Sequence, residues 1–178
     1  ITSGDFNKDG YIDVGLVVYD SASYKYFMSL LKSLDGVIFT RKHLPTPQSA
    51  GNLSFAEMDI DDKTDIVHGG TVFYGDGRGD FPVIKTFAPD CGLSLTGDFN
   101  GDGYRDFACS SGYSNSAEIY VSLRNRTFKH VQSVNTPLPL VEAAAAADMN
   151  NDGLDDLVFG SNQGVLYVLA SRGDGGFA

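Results

Sequence analysis

Oxygen-bearing side chains recur at one fixed spacing in four segments: GDFNKDGYID (Gly4–Asp13), AEMDIDDKTD (Ala56–Asp65), GDFNGDGYRD (Gly97–Asp106) and ADMNNDGLDD (Ala147–Asp156). Counted from the first acidic residue, the oxygens fall at positions 1, 3, 5 and 9, and three segments carry Gly at position 6. A tight loop turns alternate side chains inward, so positions 1, 3 and 5 converge on one point. A hard cation such as calcium takes six to eight oxygens at about 2.3–2.6 Å, which is the chemistry such a loop offers. The turn at position 6 favours Gly because its backbone tends to positive φ. A carbonyl at position 7 and a carboxylate at position 9 complete the shell.

The first loop offers Asp5, Asn7, Asp9, the Tyr11 carbonyl and Asp13; the second Glu57, Asp59, Asp61, the Lys63 carbonyl and Asp65. The third offers Asp98, Asn100, Asp102, the Tyr104 carbonyl and Asp106; the fourth Asp148, Asn150, Asp152, the Leu154 carbonyl and Asp156. Up to four Ca²⁺ are expected, one per loop. The second loop departs from the pattern, with Asp62 in place of Gly; Asp tolerates the left-handed region better than most residues. An EF-hand is excluded. Its position 12 needs a bidentate Glu, and here it is Leu16, His68, Cys109 or Phe159, each in a β-like run.

The elements that position these loops follow from their period. First ligands stand at 5, 57, 98 and 148, spacings of 52, 41 and 50 residues. Several short strands per unit of this length indicate propeller blades. A second landmark is a turn ending in Phe: SLDGVIF (Ser33–Phe39), YGDGRGDF (Tyr74–Phe81), a degraded LRNRTF (Leu123–Phe128) and SRGDGGF (Ser171–Phe177). Between loop and turn lie two β-like runs, such as Asp65–His68 with Thr71–Tyr74, and Asp156–Gly160 with Val165–Leu169. Alternation of Ile119, Val121 and Leu123 supports strands. The alanine run in Glu142–Ala147 favours helix by propensity, but the repeat places it in an inner strand. Tyr24–Leu34 is ambiguous by the same test and is expected to be strand.

These segments resemble the FG-GAP (VCBS-like) repeats of integrin α-subunit propellers and of many secreted proteins, over nearly the whole chain. The resemblance implies an all-β fold of four-stranded antiparallel blades, with calcium loops between the first and second strands. It divides the chain into repeats at about 1–51, 52–91, 92–139 and 140–178. About four blades are present, expected to form part of a larger six- or seven-bladed ring.

Composition narrows the partners. The 178 residues carry a net charge of −10, and no basic stripe suits nucleic acid. Thirteen of the 23 acidic residues are the expected ligands, so acidity here is mainly a property of the loops. No run of 18 apolar residues provides a membrane span. Loops of this charge should bind calcium at roughly 10⁻⁴–10⁻³ M, which points to an extracellular setting, secreted or on a cell-surface ectodomain. Cys91 and Cys109 flank the third inner strand, and strand register sets them too far apart for an easy bridge. Sequons stand at Asn52 and Asn125, as in a glycoprotein.

Arg78-Gly79-Asp80 and Arg172-Gly173-Asp174 fall inside the glycine turns, which account for their Gly and Asp. His43, His68 and His130 hold no equivalent positions, and no hydrolase or phosphate-loop motif occurs. The resulting expectation is a non-enzymatic module that binds a protein or carbohydrate ligand on a propeller face, as in adhesion. The alternatives are a lectin with sugar sites between blades, or the accessory or catalytic propeller of a secreted polysaccharide-degrading enzyme.

Overall fold

Short β-branched and aromatic runs punctuated by Asp-Gly turns leave few choices but antiparallel meanders. The computed structural model contains four of them; it describes residues 1–46, 51–110, 115–135, 141–161 and 163–178, with the side chains of 141 and 142 left aside. No helix occurs among the described residues, and none is long and apolar enough to cross a membrane. The first sheet is β1 (Thr2–Gly4), β2 (Asp13–Asp20), β3 (Lys25–Ser33) and β4 (Phe39–Pro45). The second is β5 (Leu53–Ala56), β6 (Asp65–His68), β7 (Thr71–Tyr74) and β8 (Val83–Thr86). The third is β9 (Leu93–Gly97), β10 (Asp106–Ser110), β11 (Ser116–Ser122) and β12 (Phe128–Asn135). The fourth is β13 (Val141–Ala147), β14 (Asp156–Ser161) and β15 (Leu166–Leu169). Each sheet pairs its strands in sequence order, the up-and-down pattern of a propeller blade. The fold is all-β, built of four blades.

Both ambiguous segments are strands. The Tyr24–Leu34 region contains β3, paired along its length with β2 and β4. The alanine run is β13, paired with β14. Ladder pairing and packing override the helix preference of alanine: Ala144 and Ala146 rest against the apolar core.

The chain divides into two compact units, Ile1–Glu57 with Asp61–Gly92, and Met58–Ile60 with Leu93–Ala178. In the first, Phe6, Met28 and Leu30 pack with Leu53, Ile66, Phe73 and Phe81. In the second, Leu95, Phe99, Ala117 and Ile119 pack with Leu157, Phe159, Leu169 and Phe177.

One aromatic contact recurs in both cores. The residue at loop position 2 meets the Phe that ends the next blade's turn: Phe6 with Phe81 at 6.0 Å, and Phe99 with Phe177 at 5.2 Å. Each such buried Phe contributes about 1.5–3 kcal/mol of apolar burial. Loops 1 and 3 are thereby anchored at their second residue.

The expectation for the cysteines is corrected. Cys91 and Cys109 are disulfide-bonded and neither is a free thiol. Ladder register sets Cys109 opposite Ser94. Cys91, however, lies outside the strand, in a turn where its N–H bonds the Ala88 carbonyl. Strand spacing therefore does not measure the distance between the two sulfurs.

Candidate functional site

Each acidic loop joins the first two strands of its blade: Asp5–Ile12, Glu57–Thr64, Asp98–Arg105 and Asp148–Asp155. In the first, third and fourth loops the backbone follows one path. Position 4 is left-handed in each (Lys8, φ 56°; Gly101, φ 73°; Asn151, φ 61°), and position 6 is Gly at φ 83–91°. The hydrogen bonds repeat as well. The position-1 carboxylate accepts from the N–H groups at positions 5 and 6: Asp9 and Gly10 to Asp5, Asp102 and Gly103 to Asp98, Asp152 and Gly153 to Asp148. The position-3 Asn oxygen accepts from the position-5 N–H at 2.8–3.2 Å. The position-5 carboxylate accepts from the N–H at position 7. These bonds turn the oxygens at 1, 3 and 5 into the loop.

Position 9 has a second role that the motif spacing did not reveal. Asp13, Asp65, Asp106 and Asp156 are 0–1 % exposed. Asp13 accepts from Phe6 N–H and Ser33 N–H, Asp106 from Phe99 and Ser122, and Asp156 from Met149 and Ser171. Asp65 accepts from Gly75 N–H. Each carboxylate thus fastens its loop to the turn that follows the blade's third strand. The signal lay in the sequence, since a small residue (Ser33, Gly75, Ser122, Ser171) stands at the same point of every turn.

Charge accumulates around these buried groups. Burial pushes the Asp106 carboxyl up to about 7, with the charges of Asp102 and Asp98 adding to the shift. Burial also raises Asp13, helped by Asp9 and Asp5. The rim carboxylates respond to their donors instead. Asp9 is held below its ordinary value by the Tyr11 N–H and Asn7, and Asp148 by the Gly153 N–H. Among the described residues, no three His, Cys, Asp or Glu side chains form a ready metal group. In loops 1, 3 and 4 position 3 is the neutral Asn, and the position-9 carboxylate is turned toward backbone N–H groups.

The second loop is built differently. Its position 4, Ile60, is not left-handed, whereas Asp62 at position 6 is, at φ 58°. Glu57 accepts from Asp62 N–H at 2.7 Å, and Asp61 from Lys63 N–H at 3.1 Å. Basic side chains occupy its carboxylates: Arg126 pairs with Asp59, Lys63 with Asp61 at 2.9 Å, and Lys8 with Asp62 at 2.7 Å. In the third loop Arg124 pairs with Asp102 at 3.1 Å and lies 4.1 Å over the Tyr104 ring. Among the described residues, no basic side chain pairs with Asp5, Asp9, Asp148 or Asp152. Loops 1 and 4 thus keep their position-1 and position-5 carboxylates clear of basic side chains, loop 3 has one of them paired with Arg124, and loop 2 has both Asp59 and Asp61 paired.

Residues 98–159 match the family model of the FG-GAP-like repeat. This stretch is similar to an FG-GAP-like repeat. It spans the third acidic loop, the strands after it, and the fourth loop. The first and fourth loops reproduce the hydrogen bonds of its third-loop segment. No curated protein matches the chain.

The remaining motifs fall into place around the repeat. Gly79 and Gly173 of the two Arg-Gly-Asp triplets have φ 96° and 79°, conformations set by the turns. His68 is buried in β6 and its Nδ1 meets the Asn52 carbonyl at 2.9 Å; burial holds it below its ordinary pKa, so it is a neutral interior imidazole. A concave site of about 350 Å³ lies on the first blade, lined by Val18, Tyr19, Asp20, Phe27, Arg41 and His43. Arg41 Nε donates to His43 Nε2 at 2.8 Å, which leaves the imidazole proton on Nδ1 to donate to Ser29 Oγ at 3.0 Å.

Proposed function

We propose that the chain forms a calcium-stabilised extracellular β-propeller that acts as a recognition module for a protein or carbohydrate ligand. The observation that carries the metal half is electrostatic. In loops 1 and 3 burial raises the proton affinity of the carboxylate at position 9, and the carboxylates at positions 1 and 5 add to that rise. Like charges are gathered where a divalent cation would be attracted, and Asn at position 3 adds a neutral oxygen ligand without more repulsion. Asp5, Asn7 and Asp9, Asp98, Asn100 and Asp102, and Asp148, Asn150 and Asp152 would hold the ion, with the carbonyls of Tyr11, Tyr104 and Leu154. The ion would supply charge cancellation and a fixed loop, and would stabilise the fold by mass action.

The family match supports a recognition role in general terms. The concave site on the first blade supports that half, with Tyr19 and Phe27 as apolar walls and Arg41 as a cationic donor. The test is binding of the purified chain to glycan and protein arrays, in roughly millimolar calcium, the range of extracellular modules, and again in EDTA. Calcium-dependent capture that Arg41→Ala reduces supports the reading. A melting temperature identical in calcium and EDTA would refute the metal half.

A further inference from the structure

The turn LRNRTF departs from the glycine pattern in one informative way. Aligned on the terminal Phe, Arg124 replaces Gly77 and Gly173, and Arg126 replaces Gly79 and Gly175. The backbone has not changed to suit them. Arg124 and Arg126 keep φ 67° and 61°, beside 75° and 96° at Gly77 and Gly79 and 79° and 81° at Gly173 and Gly175. The closing bond is also kept: Leu123 N–H to the Thr127 carbonyl matches Asp76 to Asp80 and Arg172 to Gly176. Two non-glycine residues therefore occupy a region that L-residues avoid. Something must offset that cost.

The offset is at the acidic loops. The position of Gly79 adjoins the preceding blade's loop: a Cβ built there would lie 3.1 Å from the Phe6 ring. A long side chain at the equivalent Arg126 reaches the next residue type along, and its Nε meets Asp59 of the second loop. Asp59 is buried, and its side chain is 2 % exposed in this pair. A buried carboxylate needs a partner, and Arg126 is its cation. Asp61 in the same loop has its own cation in Lys63. The loop has also lost the neutral Asn at position 3, the left-handed residue at position 4 and Gly at position 6.

We infer that the second acidic loop is closed by basic side chains of this chain, Arg126 and Lys63, in place of a metal ion. The loop then needs no ion, while loops 1 and 4, and loop 3 in which Arg124 shares only Asp102, remain the cation sites. This rests on the calcium reading above for the number of ions, though the ion-pair closure itself does not.

Two measurements on the intact chain separate the two claims. The first is the melting temperature of Arg126→Gly in EDTA. Glycine removes the backbone strain and matches the other turns, so an effect of strain alone would raise the melting temperature. Closure predicts a fall, equal in size with calcium added; no change or a rise overturns it. The second is calcium stoichiometry by titration calorimetry. Three ions on the wild type and a fourth on Arg126→Gly/Lys63→Gln support the inference. Four on the wild type overturn it. No binding refutes the calcium reading and leaves the closure to be decided by the melting result. Terbium luminescence adds an independent readout, because Tyr11 and Tyr104 lie at position 7 of loops 1 and 3 and would sensitise only those sites. An unchanged tyrosine-sensitised signal, with the fourth ion gained in the double variant, places the new ion outside loops 1 and 3.

Discussion

In the fourth loop Asp148 and Asp152 meet backbone N–H groups, whereas in the second Asp59 and Asp61 each hold a basic side chain. Both loops have the same oxygen spacing and the same buried Asp at position 9. Position 4 separates them. Asn151 takes the left-handed conformation in the fourth loop; Ile60, β-branched, does not in the second. The comparison shows that the motif combines two devices. One is a clamp, the position-9 carboxylate, which is kept in both loops. The other is a rim of oxygens at positions 1, 3 and 5, which one loop leaves open to an ion and the other closes with its own cations.

The sharpest way to break this division is to remove the clamp. Asp156→Ala strands the buried N–H of Ser171 and the half-buried N–H of Met149, at a cost of about 2–4 kcal/mol. Asp65→Ala should cost a comparable amount. Urea unfolding in EDTA checks both. A loss at Asp156 seen only with calcium would make it a ligand first and a clamp second.

The rim gives the next largest effect and the clearest contrast. Asp152→Ala should lower the melting temperature in calcium and hardly in EDTA, by the mass-action contribution of one site, about 1–1.5 kcal/mol at ten times the Kd. Asp61→Ala should lose the same amount in both media, because its partner is Lys63. Asp102→Ala should fall between, since Arg124 already shares that carboxylate. Equal behaviour of Asp152→Ala and Asp61→Ala would erase the distinction.

Acidity separates open loops from closed ones in a third way. Asp106 in the folded chain is raised to about 7, far above an unfolded aspartate. Without calcium the folded state therefore holds the proton more tightly. Its contribution to stability is full below the unfolded value and is lost as the pH rises toward about 7. A cation in the loop would lower that pKa and remove the loss. The gain in melting temperature from calcium should therefore grow between about pH 5 and pH 7.5, and Asp106→Asn should flatten this dependence. A calcium gain independent of pH would contradict it.

Much of this was legible in the residues. Repeat spacing placed every loop between the first two strands of a blade, and it correctly made strands of the alanine run and of Tyr24–Leu34. Spacing could not reveal what each carboxylate touches. Asp59 and Arg126 are 67 residues apart, and nothing local to either announces the pair. The turn was legible as degraded, yet the meaning of its arginines depended on backbone conformation, which the structure supplies. The disulfide was misjudged for a related reason: Cys91 sits in a turn, where strand geometry gives no guide.

The smallest test concerns Asp62, where the second loop replaces the glycine of the others. Its φ of 58° is a conformation glycine adopts without strain, so Asp62→Gly should relieve about 1 kcal/mol. Glycine also frees the unfolded chain, which returns part of that gain. The Lys8 ion pair would be lost, but the Asp62 side chain is 87 % exposed, and such pairs contribute little. The net expectation is a slight stabilisation, about 0.5 kcal/mol, without any new calcium site, because Arg126 and Lys63 still occupy the rim. Urea unfolding measures the first part and calorimetry the second. A calcium site restored by this single change would mean that the glycine, and not the basic side chains, decides which loops stay open to an ion.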